Sequence, residues 1–176
     1  MSRMHRPYRI DAAIVGFGLA FAAPVSAQAP QHTTATYEDW TVRCDMTASV
    51  KTCDLVQSTQ VQGQAVSQIA IARAGKTEPL RIVIQVPINV WLPAGVRLAT
   101  DKEADLVPAT FKRCLGGGCF ADAELKDDAV KKMRSQTENG KLLFKDAAQK
   151  DVALPVSFKG FAVAFDTLNK QTQDKP

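Results

Sequence analysis

Four cysteines stand in two close pairs, Cys44 with Cys53 and Cys114 with Cys119. A bridge within the first pair would clamp a hairpin, and one within the second would close a tight glycine turn. Residues 1–27 read as a secretory signal. Arg3, Arg6 and Arg9 occupy the first nine residues without an acid, an apolar run covers 12–23, and Val25-Ser26-Ala27 sets a cleavage point before Gln28. The run of about a dozen residues is shorter than the roughly 20 needed to span a bilayer, so no transmembrane segment is expected after cleavage. An oxidising destination makes the four thiols bridges rather than catalysts, and local pairing is favoured among the three connectivities. The C-x8-C and C-x4-C spacings also lack the C-x-x-C pattern of a dithiol oxidoreductase, and oxidation disfavours a zinc site.

Removing the leader takes away three arginines and Asp11 and lowers the net charge from +4 to +2. That excess is too small to imply nucleic acid as a partner. The 149 residues from Gln28 onward suffice for one domain with a core of its own. Residues 28–36 are polar and are expected to form a flexible lead-in, 37–170 a single domain, and 171–176 a disordered tail.

Most of the domain carries a strand pattern. Residues 37–44 and 52–61 are rich in aromatic and β-branched side chains, and turn chemistry between them predicts a hairpin clamped by Cys44 and Cys53. Residues 67–74 place Ile69 and Ile71 on one face. Leu80, Ile82, Ile84 and Val86 alternate against Arg81, Val83 and Gln85, the period of a half-buried strand. Residues 96–100, 106–114, 141–145 and 152–159 are further strands, while Pro79, Pro87, Pro93 and Pro108 mark bends, strand starts or edges.

Two helices are expected. One begins at Asp122, spaces Leu125, Ala129, Val130 and Met133 at helical intervals, and ends near Asn139-Gly140. A second, short and C-terminal, follows Gly160 and puts Phe161, Phe165 and Leu168 on one stripe. The pattern predicts a mainly β fold, an antiparallel β-sandwich with one inserted helix, a short C-terminal helix and two local disulfides. An α+β roll is the alternative.

Chemistry is sparse. The two histidines, His5 and His32, fall in the leader and the lead-in, so the domain body holds no imidazole for Ser-His-Asp or Cys-His catalysis. Asp101, Glu103 and Asp105 lack the later glycine and glutamate of a calcium loop and read as a solvated turn, as does the Asp127-Asp128 helix face. Gly116-Gly117-Gly118 has no following Lys-Ser/Thr and reads as a tight turn across the Cys114 to Cys119 bridge rather than a phosphate loop. No catalytic residue, metal ligand or cofactor site is expected. Trp40 is expected in the core against the Cys44 bridge. Trp91, between Pro87 and Pro93, is open to burial or to presentation to a partner. Trp91 and a small basic patch of Lys112, Arg113 and Lys126 are the candidate partner surface.

Taken in order, several landmarks resemble the invasion-associated locus B (IalB) family of Gram-negative bacteria. They are Trp40-x3-Cys44 with Cys53, Val86-Pro87, Leu92-Pro93-Ala94-Gly95-Val96, Cys114-x4-Cys119-Phe120-Ala121 and Phe158-Lys159-Gly160-Phe161. The resemblance spans about residues 37–168. It implies an exported periplasmic or outer-membrane-associated β-rich protein, linked in some pathogens to host-cell invasion, and it carries over no catalytic residue. The expected function is a non-enzymatic envelope protein that binds an envelope or host-surface component. A carboxylate-dependent hydrolase of envelope glycans and a periplasmic stress or chaperone-like protein are the alternatives.

Overall fold

The computed structural model describes residues 31–47, 50–75 and 77–173. The expected leader, residues 28–30 and residues 174–176 lie outside the described residues. Ten strands form an antiparallel sheet: β1 His32–Tyr37, β2 Trp40–Thr47, β3 Val50–Val61, β4 Gln64–Ala72, β5 Arg81–Val86, β6 Val96–Thr100, β7 Glu103–Leu115, β8 Gly118–Glu124, β9 Gly140–Lys145 and β10 Asp151–Val156. Among the described residues there are also two helices, α1 Asp127–Arg134 and α2 Phe161–Gln173. The strand order is β1-β2-β3-β4-β5-β8-β7-β6-β9-β10.

β7 makes this a β-sandwich-like fold rather than a flat sheet. Its first half pairs with β6, Val96 opposite Ala109, and its second half pairs with β8, Thr110 opposite Asp122. The strand therefore passes from one layer into the other. Pro108 lies on the half opposite β6, before the pairing with β8 begins, where a missing N–H is tolerated.

The expected alternation of β5 is realised, with Ile82, Ile84 and Val86 buried beneath Arg81, Val83 and Gln85. These residues join Trp40, Leu55, Ile71, Leu98 and Leu142 in one core. Each large apolar side chain fully buried there contributes about 1.5–3 kcal/mol. α2 covers the end of the core with Phe161, Ala164, Phe165 and Leu168, and the Phe161 ring meets Trp40 edge-on at 5.0 Å between centroids. Gly160 makes that approach feasible. Its φ is +79°, and a Cβ there would collide with the Tyr37 carbonyl.

The layers are joined where β2 and β3 meet the end of β10. Trp40 Nε1 donates to the Ser157 carbonyl at 2.9 Å, and Thr59 Oγ1 donates to the Pro155 carbonyl at 2.9 Å. Both disulfides link residues directly opposite each other, Cys44 with Cys53 on β2 and β3, and Cys114 with Cys119 on β7 and β8.

Four expectations need correction. The flexible lead-in over 28–36 does not hold from His32 onward, because β1 pairs with β2 from His32 opposite Asp45 to Tyr37 opposite Trp40. Its side chains lie mostly in solvent, so backbone pairing forms it without an apolar pattern. The strand expected at Tyr37 is instead broken by a turn at Glu38 and Asp39, with Glu38 at φ 51°. Asp122 does not cap a helix. It lies in β8, and α1 begins five residues later with Lys126 as its N-cap and ends at Arg134, well before Asn139-Gly140. The tail expected from residue 171 is helical through Gln173, the last turns of α2.

Candidate functional site

The loop after β5 is the most distinctive surface. It exposes Ile88 at 51%, Trp91 at 40% and Leu92 at 48%, three large apolar side chains within five positions. The loop is nevertheless well anchored. Ala147 N donates to the Asn89 carbonyl and Trp91 N to the Lys145 carbonyl, each at 2.8 Å, while Val90 bridges to Asp146 and packs on the core. A 3-10 turn, Leu92–Ala94, then leads into β6. Trp91 is thus presented outward by a backbone tied to the end of β9.

Beside this loop lies an open groove of about 520 Å³, walled by Ala94, Arg97, Leu143, Lys145, Asp151 and Val152 among others. Its charged side chains are paired. Arg97 reaches Asp105 at 3.0 Å and Lys145 reaches Asp151 at 2.8 Å. The Lys145 hydrogen bond holds the Asp151 carboxyl below the usual carboxylate range. Such a wall is suited to complementary contact rather than proton transfer.

The expected basic patch is not gathered into one groove. Lys112 sits at a bulge in β7, 3.9 Å from Asp122, which also pairs with Arg81. Arg113 stacks over the Phe120 ring at 5.6 Å. Lys126, at the start of α1, lines a separate groove with Glu124, Asp128 and Lys132. The alternating acids also diverge: Asp101 pairs with Lys141, Glu103 with Lys132 and Asp105 with Arg97. They therefore form no shared cluster. His32 pairs with Asp45 at 2.5 Å on the exposed edge strand. All four cysteines are in bridges. Among the described residues no group of three or more His, Cys, Asp or Glu is placed to hold a metal ion, and no helix is long and apolar enough to cross a membrane.

Sequence reasoning singled out Trp91 but missed Arg97, Lys145 and Asp151. The usable signal was limited to charged residues on strands otherwise facing the core. Bringing them together depends on β9 pairing with both β6 and β10.

The fold and surface define a small, disulfide-bridged antiparallel β domain with a preformed apolar loop. The sequence model of the family described as invasion associated locus B (IalB) protein matches residues 40–169. The chain belongs to this family. It is 30% identical over 160 residues to the invasion protein B homologs of Brucella abortus strain 2308 and of Brucella abortus biovar 1 strain 9-941, covering 88% of each chain in both cases. The crystal structure of invasion associated protein B from Bartonella henselae superposes with a TM-score of 0.72 at 20% identity, covering 82% of this chain and 99% of that one. That likeness concerns the fold.

Proposed function

We propose that this chain is an exported, non-enzymatic binding module of the Gram-negative envelope, in the periplasm or at the outer membrane. Its partner surface is the Ile88, Trp91 and Leu92 loop with the adjoining Arg97, Lys145 and Asp151 groove. The observation carrying this reading is the exposure of three large apolar side chains on an anchored backbone. Exposed apolar groups concentrated in one place are a usual mark of an interaction site, and a rigid presenter loses little entropy on binding. The leader-like residues 1–27 support export, and the names of the Brucella relatives support a link to host-cell entry. Lys112, Arg113 and Lys126 are secondary to this surface, because they do not share its groove.

A photo-crosslinking residue at Trp91 in intact cells tests the reading, with Val163, another exposed apolar position, as control. The expected result is a discrete adduct from position 91 that is absent from position 163. Equal labelling from both positions, or none from 91, overturns it. The hydrolase reading has a narrower footing, since Glu124 and Asp128 line one groove. Turnover of an envelope glycan that is lost in Glu124→Gln and Asp128→Asn would replace the binding reading with that one.

A further inference from the structure

Three turns project from the same end of one layer of the sheet. β3, β5 and β7 all run toward that end, because β4 pairs antiparallel with both β3 and β5, and β8 with both β5 and β7. The turns that follow these strands cover residues 61–64, 87–95 and 115–118. Gln68 lies opposite Gln85, Val86 opposite Cys119 and Leu115 opposite Gly118, so residues 61–66 and Leu115 all lie beyond the last residue of β5. Ala65, Val66, Pro87, Ile88, Gly116 and Gly117 border one groove between the turns, of about 440 Å³.

Five of the nine large apolar side chains exposed among the described residues are gathered here: Ile88, Trp91 and Leu92, with Val61 at 48% and Leu115 at 56%. Residues 61–67, 87–95 and 115–118 also contain no Asp, Glu, Lys, Arg or His, in a chain of which 23% is charged. A protein partner is normally met by a polar rim around an apolar centre, whereas a bilayer penalises every charge that enters it. Charge-free apolar tips on three separate turns therefore favour lipid.

Each turn is held in shape. Gln62 and Gly63 both take positive φ, 52° and 78°, as a tight hairpin turn requires. The Cys114–Cys119 bridge closes the turn that carries Leu115, and the Trp91 N–H bond to the Lys145 carbonyl fixes the middle loop. Cations stand just behind the tips. Lys112 and Arg113 are both exposed on β7, Lys112 meeting Asp122 only at 3.9 Å and Arg113 lying over the Phe120 ring.

We infer that this end docks on an anionic phospholipid bilayer, with Val61, Ile88, Trp91, Leu92 and Leu115 entering the interface and Lys112 and Arg113 meeting lipid phosphates. Tryptophan favours the boundary between headgroups and acyl chains, and buried apolar area together with basic residues sets the strength of such binding. Lipid is thus the partner of the Trp91 loop, a conclusion that rests on the binding reading above and extends that surface to Val61 and Leu115.

Vesicles of phosphatidylethanolamine and phosphatidylglycerol with brominated acyl chains test the inference. They are mixed with the chain from Gln28 onward, so that the apolar leader cannot bind them itself. Trp40 is fully buried, so a fluorescence blue shift and bromine quenching report Trp91. The expected result is both, saturating with lipid. Val61→Asp and Leu115→Asp should each weaken partitioning about tenfold and Arg113→Ala about fivefold, while Val163→Asp on α2 should leave it unchanged. No quenching of the wild type, undiminished quenching in both tip variants, or an equal loss in Val163→Asp overturns the inference. If a variant unfolds, the wild-type quenching decides alone. A protein adduct at position 91 in cells without vesicle binding overturns the lipid assignment and leaves the binding reading intact, whereas loss of both removes both.

Discussion

The Gln57 side-chain amide clasps the backbone of Ser157, Nε2 donating to its carbonyl at 2.6 Å and Oε1 accepting from its N–H at 3.2 Å. Gln57 lies on β3 and is buried, while Ser157 follows β10, so one side chain supplies the bonds that another strand would have made. The clasp joins the two layers on the side away from the β7 crossover.

Gln57→Leu keeps the volume close but leaves the Ser157 N–H without its bond, while the carbonyl keeps Trp40 Nε1 as donor. One half-buried orphan costs roughly 1–3 kcal/mol, so a loss of about 1–3 kcal/mol is expected. Urea unfolding followed by Trp40 fluorescence measures it. A variant as stable as wild type would show that water replaces the clasp.

The two bridges should contribute unequally. Each closes a short loop worth about 2–3 kcal/mol by chain entropy. Cys44 and Cys53 are both buried, whereas Cys114 is exposed. Replacing the first pair by alanine should therefore lower the unfolding midpoint more than replacing the second. The order of the two midpoints is the check.

Arg134 on α1 holds Asp166 on α2 through both carboxylate oxygens, at 2.7 and 3.1 Å, and its guanidinium lies over the Phe165 ring. The Arg134 hydrogen bond lowers the Asp166 pKa. The pair's contribution is present above the ordinary carboxylate range and is lost as pH falls through the depressed pKa. Solvent exposure keeps it under about 1 kcal/mol. The stability gap between wild type and Asp166→Asn should be visible near neutrality and close in acid. A gap that is constant with pH would assign the effect to packing.

Trp91→Ala removes a half-exposed ring from a loop held by backbone bonds, so stability should change by no more than about 0.5 kcal/mol. Partner capture should nevertheless fall. Thermal unfolding and crosslinking of the same variant separate the two effects. A large stability loss would place Trp91 in the scaffold instead.

The period-two alternation of Ile82, Ile84 and Val86, the spacing of Phe161, Phe165 and Leu168, and the cysteine pairs were readable because strand, helix and hairpin periods are local. The amino-acid sequence by itself therefore determined the antiparallel β class, the C-terminal helix, the first bridged hairpin and the bridged glycine turn. It did not reveal β1, whose exposed side chains carry no apolar pattern, or β8, whose small residues Ala121 and Ala123 acquire meaning only between β5 and β7. Tertiary structure alone decided that Gln57 meets Ser157 across 100 residues and that Trp91 points outward. These relationships follow from strand order and from β7 changing partners between layers. They depend on long-range pairing, which no window of neighbouring residues encodes.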